Sequence, residues 1–500
     1  MPDRPARAGP AQLADIPEDP AGPRQKEKTT PVPGGKPMLM QRPRDIARGQ
    51  TPSLDRQADI SARLERLPIT RRVFWTRNII GAATFFDGYT VIAIAYAMPV
   101  LVREWGLKPE QTGMILSMGY LGQLIGAVFF GWLAERIGRL SVLLFTILLF
   151  VSMDVACLFA WGAGSMMLFR FIQGIGTGGE VPVASAYINE YIGSKGRGRF
   201  FLLYEVMFLF GLVGAGLIAR ALVPVYGWEA MFLVGLVPAA ILIPLRFFMK
   251  ESPRWLAAKG RYEEADRIVS DLERSAEAAG HKLAMPQPVP MKQSEQGGLR
   301  ELFSGIYRRR TLTIWSMWFC SYLVANGMIA WLPTLYRQTF NLPLETALLY
   351  GLLTSVAGVV ASIACALLID KVGRKRWYTA AFLCAPLPLL ALAYMGATSP
   401  MEVLLLAGLA YAIVQTITFS LYLYSAELYP TRLRALGTGL GSAWLRLGSS
   451  AGPIVVGTIM GAAGIQYVFA AFAGVLVIGA LVTMLFAIET KGRVLEELSP

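Results

Sequence analysis

Apolar residues are gathered into twelve long runs, at roughly 78–102, 113–134, 140–161, 165–190, 200–223, 229–249, 311–336, 346–370, 377–397, 402–428, 435–461 and 465–488. At ~1.5 Å of rise per residue, each is long enough as a helix to cross a hydrocarbon layer of ~30 Å. The runs form two groups of six, separated by a polar stretch. The pattern predicts twelve transmembrane helices. Residues 1–70 contain 12 prolines, many charges and no apolar run. They lack the apolar core of a secretory signal and read as a disordered cytoplasmic tail. Within that tail, residues 59–68 can form one or two amphipathic turns on the membrane surface before Pro68 stops them.

The loops between the runs carry an orientation. After spans 2, 4, 8 and 10 there are eleven basic residues: Arg136, Arg139, Lys195, Arg197, Arg199, Lys371, Arg374, Lys375, Arg376, Arg432 and Arg434. The loops after the odd-numbered spans hold only three, Arg103, Lys108 and Arg337. The positive-inside bias therefore places both termini and the central loop in the cytoplasm. It also explains the net charge of +13 without nucleic acid as a partner.

The two groups of spans repeat each other. Glu135-Arg136-Ile137-Gly138-Arg139 matches Asp370-Lys371-Val372-Gly373-Arg374, an offset of 370 − 135 = 235. Glu190 matches Glu427 (427 − 190 = 237), and Glu251 matches Glu489 (489 − 251 = 238). Three anchors at nearly one offset indicate a duplicated six-helix unit. The expected fold is an all-α membrane protein with two six-helix pseudo-repeat bundles around a central cavity. Its divisions are the 1–70 tail, a 71–249 N-terminal bundle, a 250–310 cytoplasmic linker with short helices, a 311–488 C-terminal bundle and a 489–500 tail. Arg261 to Val269 in the linker reads as a surface helix.

Composition narrows the chemistry. The sequence is 54% hydrophobic and only 16% charged, against about 25% charged in soluble domains. There is one histidine, His281, in a polar loop, and the four cysteines sit apart inside apolar runs. Neither a metal site, a disulfide framework nor a nucleophile–base pair emerges, and no cofactor or enzymatic activity is expected. Gly174-x-Gly176-x-Gly178-Gly179 lies inside a span with no preceding strand, and Gly122-x-x-x-Gly126 lies in span 2. Both read as close helix packing, and no phosphate-binding loop supports ATP-driven pumping.

Charges inside the spans are the functional candidates. Asp87 lies ~14 Å into the first span, near the bilayer centre. A carboxylate facing lipid there costs roughly 2.5–3.5 kcal/mol, so it faces a cavity or a partner, or is protonated. We read it as a proton site. Arg446 lies twelve residues past Arg434, ~18 Å in and at the same depth. A guanidinium keeps its charge and offers a planar fork suited to a carboxylate. It is either a substrate ligand or a packing arginine satisfied by carbonyls or by Asp87 or Glu180. Asp154 and Arg170 fall in the outer half, and Glu180 lies deeper toward the cytoplasm; with Asp87 they form the proton-coupling set, in which Glu180 or Asp154 can carry a second proton. At cavity depth, Tyr89, Gln123, Gln173, Asn326, Trp331, Gln415 and Tyr422 complete a candidate binding set. Near the cytoplasmic ends, Glu135, Arg139, Glu190 and Arg199 in one half, and Asp370, Arg374, Glu427 and Arg434 in the other, read as gate latches.

Gly131-x-x-x-Glu135-Arg136-x-Gly138-Arg139 resembles the loop signature of the major facilitator superfamily, and the likeness runs from about residue 60 to 497. Arg170-Phe171-x-x-Gly174, Glu251-Ser252-Pro253-Arg254-Trp255-Leu256 and Glu489-Thr490-Lys491-Gly492 resemble its sugar-porter branch. Phe86-Asp87-Gly88-Tyr89, Gly178-Gly179-Glu180 and Trp444-x-Arg446-x-Gly448 are closer to metabolite:proton and aromatic-acid:proton symporters. Position 90, where aromatic-acid symporters usually carry a second aspartate, is Thr90, and Ala366 stands where the first repeat has Gly131. The resemblance implies a monomeric, proton-coupled symporter of the bacterial inner membrane that imports a small organic anion by alternating access. Arg170 is then the partner of Asp87, with Asp154 an alternative partner for Arg170. A sugar or polyol symporter is the second possibility, and a non-transporting membrane sensor on the same fold the third.

Overall fold

The computed structural model describes residues 52–68, 70–191, 197–286 and 298–491; the side chains of 52–55, 72, 197–205, 242–246, 431 and 435 are outside that description. In chain order the helices are α1 (Pro52–Glu65), α2 (Arg71–Trp105), α3 (Pro109–Ile137), α4 (Arg139–Leu158), α5 (Ala163–Tyr191), α6 (Arg197–Tyr226), α7 (Glu229–Val234) and α8 (Pro238–Phe248). The linker carries α9 (Pro253–Ala258), α10 (Tyr262–Ala278) and α11 (Leu299–Leu302). The second half has α12 (Gly305–Gln338), α13 (Leu344–Val372), α14 (Arg374–Cys384), α15 (Pro386–Met395), α16 (Pro400–Leu428), α17 (Thr431–Ala462) and α18 (Ile465–Phe486). Among the described residues, nine helical segments are long and apolar enough to span a membrane, the α14–α15 pair forming one of them. Helices α5, α17 and the broken pair α7–α8 complete twelve spans in two bundles of six. Glycines and charged residues interrupt the apolar runs of α5 and α17, and the α7–α8 span is broken into two short helices.

Local chemistry sets the corners. Thr70 caps α2 by accepting from Val73 N, and α2 ends at Gly106 with φ +62°. Pro109 opens α3, and Pro400 opens α16 beside a Ser399–Glu402 capping box. The equivalent turns of the two repeats use Gly138 (φ +107°) and Gly373 (φ +102°). At Gly138 a carboxylate closes the corner: Glu251 accepts from the amides of Arg139 (3.0 Å) and Leu140 (3.2 Å). Glu489 does the same for Arg374 N at 2.8 Å. A Cβ at Gly138 would sit 2.3 Å from Glu251 Oε2, so both the φ and the close approach demand glycine.

Within each bundle, glycines bring helices to backbone contact. Added Cβ atoms at Gly122 and Gly126 of α3 would meet the carbonyls of Phe171 and Ile175 at 2.0 Å, and one at Gly174 of α5 would meet Gly119 O at 2.0 Å. The glycine run of α5 is therefore a packing seam. Gly211 against Phe85 O (2.1 Å) joins α6 to α2, and Gly452 against Leu323 O (2.2 Å) joins α17 to α12. Between the halves, α3 packs on α17, α2 on α12 and α6 on α13. Tyr96 and Ser355 share a hydrogen bond of 3.1 Å, Ser117 donates to Ser450 O at 2.7 Å, and Tyr120 donates to Asn326 Oδ1 at 2.8 Å. These bonds run from the end remote from the linker down to mid-depth, and they close that far end.

Part of the stretch expected as a disordered tail is a fourteen-residue helix, and its apolar face docks on the linker helices α9 and α10. Ile60 and Leu64 of α1 are buried in one cluster with Val269 and Leu272 of α10. Arg63 and Arg66 both clamp Glu273, Arg63 also reaches Asp266, and Glu65 pairs with Arg254. The local pattern shows the amphipathic face, but the partner, 200 residues on, is a tertiary fact.

Two outcomes follow. Gly174→Val places a branched side chain against Gly119 O and is expected to cost about 3 kcal/mol or more, read as a large drop in melting temperature. Gly131→Ala, where nothing lies within 4 Å, is expected to melt like the parent. The second concerns Glu273: burial pushes its carboxyl up, but hydrogen bonds from Arg63 and Arg66 overcome this and hold it below the usual range. Its contribution is therefore complete above the ordinary glutamate value of ~4.3 and lost as pH falls through the lowered folded value. Limited proteolysis should find α1 protected at neutral pH and released below about pH 4, whereas Glu273→Gln should release it at neutral pH.

Candidate functional site

Asp87 sits midway along α2 and is buried. The helix around it is held to α5 on both sides. One turn before, Thr84 Oγ1 donates to Glu180 Oε1 at 3.0 Å. One turn after, the carbonyl of Thr90 accepts from Arg170 Nη1 at 3.2 Å. Helices α2 and α5 run antiparallel, so Asp87 lies between a carboxylate below and a guanidinium above. Gly88, beside it, packs on Phe208 O of α6.

Arg170 is fully inside the N-terminal bundle, at 4% exposure. Besides Thr90 O, it donates to Gln173 Oε1, and Gln173 Nε2 donates to Asp154 Oδ1 at 2.6 Å. Of the two partners the sequence allows for Arg170, the structure connects it with Asp154, through an amide, and places it one turn away from Asp87. A cavity of ≈ 10 Å³ beside this group is lined by Arg170, Gln173, Gln123, Thr177, Thr90 and Tyr120, among others. That is room for about one water.

Arg446 lies halfway along α17, 8% exposed. Its Nη1 donates to Ser442 O (3.0 Å) and Ser442 Oγ (3.2 Å), both on its own helix, and its buried Nε has no hydrogen-bond partner. Among the described residues, no carboxylate forms an ion pair with it. One turn on, Ser449 Oγ accepts from Asn326 Nδ2 at 3.0 Å, and Asn326 accepts from Tyr120 of the other half. The indoles of Trp315 and Trp444 stack at 5.3 Å on the α12–α17 face, with Phe319 edge-on to Trp444.

Several expected ligands are placed elsewhere. Tyr89 is completely buried and its hydroxyl donates to Met231 O at 2.8 Å, so it ties α2 to α7 inside the bundle. Trp331 Nε1 donates to Pro453 O at 3.0 Å and locks α12 to α17 nearer the far end. Gln123 reaches Thr177 at 3.4 Å. Gln415 lies beside Gly358 of α13, and Tyr422 is exposed, edge-on to Trp318 at 4.6 Å. A larger cavity of ≈ 240 Å³ opens toward the linker side of Asp87, between α2 (Arg77, Asn78, Phe85, Phe86) and Met207 of α6. Sequence reading missed Thr84, Thr90, Tyr120 and Ser449. Their signal is faint: Thr84, Thr90 and Ser449 lie one turn from a charge, and Tyr120 carries a hydroxyl at mid-span.

At the linker end, Arg139 bridges Glu135 and Glu190, and Arg374 bridges Asp370 and Glu427. Each triad stays within one bundle. Arg434 forms no ion pair among the described residues, and Glu427 instead accepts from Thr490; the side chain of Arg199 lies outside the described residues. The two corner carboxylates differ. Burial pushes Glu251 up despite three amide donors, whereas four amide donors overcome burial at Glu489 and hold it low.

The match to the sugar (and other) transporter model runs over residues 79–500. The chain belongs to that family, within the major facilitator superfamily. The transporter is 34% identical over 445 residues to the niacin transporter NiaP of Acinetobacter baylyi, covering 88% of this chain and 99% of the relative. It is 29% identical over 419 residues to the 4-hydroxybenzoate transporter PcaK of the same organism, covering 82% and 89%. The crystal structure of a D-xylose-proton symporter superposes with a TM-score of 0.66 at 17% identity, covering 84% of this chain and 99% of that one. An inward-open xylose transporter XylE from E. coli gives 0.64 at 18% identity, covering 85% and 99%. These structures share its fold, and the transporter is a multi-pass membrane protein that moves a small molecule.

Proposed function

We propose that the transporter imports a small aromatic or other organic monocarboxylate together with a proton, as a monomer in the bacterial inner membrane. The observation that carries this is Arg446, a permanently charged group at mid-depth with no carboxylate paired to it among the described residues. Leaving such a charge buried and unpaired is costly, and a substrate carboxylate is the counter-ion that makes the position useful. The relatives support this, since NiaP and PcaK are named for niacin and 4-hydroxybenzoate, each an aromatic ring bearing a carboxylate.

In this reading the basic loops put the linker, both termini and the latch triads in the cytoplasm. The closed far end is then the outer face, and the conformation is one that releases substrate inward. Asp87 carries the proton and Arg446 the substrate. The Tyr120–Asn326–Ser449 chain spans the halves at substrate depth, so filling the site favours rearrangement at the contact that must open. One proton with one monoanion moves no net charge, so the pH gradient alone drives uptake, ~1.4 kcal/mol per pH unit. A further proton would add the membrane potential, ~2.3 kcal/mol per 100 mV.

The sugar-porter likeness of the corner motifs concerns gating turns at the linker end, not the cavity. Arg446→Gln separates the two substrates. In proteoliposomes it is expected to reduce uptake of niacin, 4-hydroxybenzoate or benzoate at least a hundredfold, as expected from removing a buried charge-assisted bidentate contact worth about 3 kcal/mol. Uptake of xylose by the parent, little changed in Arg446→Gln, overturns the carboxylate assignment.

A further inference from the structure

The group around Arg170 is more than a packing device. Asp154 is 2% exposed and lies one turn from the far end of α4. Its Oδ1 accepts from Gln173, which in turn accepts from Arg170. Among the described residues, its buried Oδ2 has no hydrogen-bond partner. That oxygen points at the break between α7 and α8, where a Cβ on Gly235 would come within 2.7 Å of it. A buried carboxylate oxygen without a donor is a position at which a proton is stabilising. Among the described residues, the groups that face Asp154 are Arg170 and Gln173 from α5, Cys157 from its own helix and the Tyr89 hydroxyl from α2. The tyrosine proton is committed to Met231 O, which leaves Arg170, through the amide, to balance the carboxylate.

We propose that Asp154 is a second proton-binding site of the transport cycle, read by Arg170 through Gln173. This rests on the reading that a carboxylate travels with a proton, and it adds where a further proton goes. The proton adds to Oδ2, while Oδ1 keeps the Gln173 N–H. The acid becomes neutral and Arg170, which cannot lose its own proton, is left without its balancing charge. Its guanidinium already touches α3, since a Cβ on Gly119 would lie 3.0 Å from Nη2. The next residue is Tyr120, whose hydroxyl bonds Asn326 of the other half, and Asn326 bonds Ser449, one turn from Arg446. A change of charge at Asp154 thus has a contiguous polar route to the substrate arginine and to the bond that joins the halves. The proton also sits at the α7–α8 break, where the backbone can yield. Two protons with one monoanion carry net positive charge, so uptake depends on membrane potential as well as pH.

Two measurements decide. In proteoliposomes supplied with labelled niacin, an interior-negative potassium diffusion potential is expected to accelerate uptake by the parent. Asp154→Asn, which preserves shape and the contact to Gln173, is expected to keep exchange of labelled for unlabelled niacin but lose the potential-driven component. Parent uptake that ignores the potential, or Asp154→Asn uptake that still follows it, overturns the proposal. The second measurement needs no substrate. A pH-difference infrared spectrum of the purified transporter should contain a carboxylic-acid band that Asp154→Asn removes and that Gln173→Leu moves to higher pH, because the lost N–H favoured the carboxylate. Identical titrations in all three proteins overturn the proposal. Should Asp154→Asn not fold, Gln173→Leu carries both arms, and a variant that matches the parent in each overturns it. If no carboxylate is transported at all, the substrate reading fails while the infrared arm still judges Asp154.

Discussion

A charge held in the middle of a hydrocarbon layer has few ways to exist: it faces water, it pairs, or it gives up or takes up a proton. The internal arrangement of this transporter follows from that constraint. Arg170 and Asp154 meet it by pairing through the amide of Gln173 inside the N-terminal bundle. Glu180 takes a hydroxyl from Thr84. Among the described residues, Arg446 hydrogen-bonds only within its own helix, and this asymmetry between the halves points to an anionic cargo. Asp87, Asp154 and Glu180 are buried in the N-terminal bundle together with Arg170, and Arg446 is buried in the C-terminal bundle.

The framework that presents these groups is built from two copies of one device. In each repeat a glycine with positive φ turns the chain from one span into the next, and a carboxylate from beyond the sixth span seals the turn. An arginine then bridges two acids within the same half. Both triads are internal to a bundle and tie each half to itself at the linker end. What must break and reform is the set of contacts between halves, chiefly the hydroxyl and glycine contacts of α3 with α17 and α2 with α13.

Span number, the duplication and the basic-loop asymmetry are all legible in the sequence, because hydrophobic length and charge bias are one-dimensional signals. Arg446 is legible for the same reason: an arginine at mid-span announces itself. Tyr89 is not, because its neighbour Asp87 suggests a cavity wall while the helical turn sends the ring toward Met231. Trp331 misleads in the same way, its indole held by Pro453 O. Arg170 has two acids within plausible reach, and only three-dimensional placement shows the amide that links it to Asp154. The docking of α1 on α10 depends on residues about 200 apart and lies beyond any local pattern. Thr84, Thr90, Tyr120 and Ser449 are ordinary span residues until their partners are seen.

In the proposed cycle, binding a carboxylate at Arg446 and taking up protons at buried acids are one linked event. Isothermal titration of the purified transporter with niacin, 4-hydroxybenzoate and benzoate, repeated in buffers of different ionisation enthalpy, measures that link directly. Linked binding gives heats that vary with the buffer in the sense of net proton uptake on binding, and no such heat in Arg446→Gln. Carboxylate binding with the same heat in every buffer would contradict it.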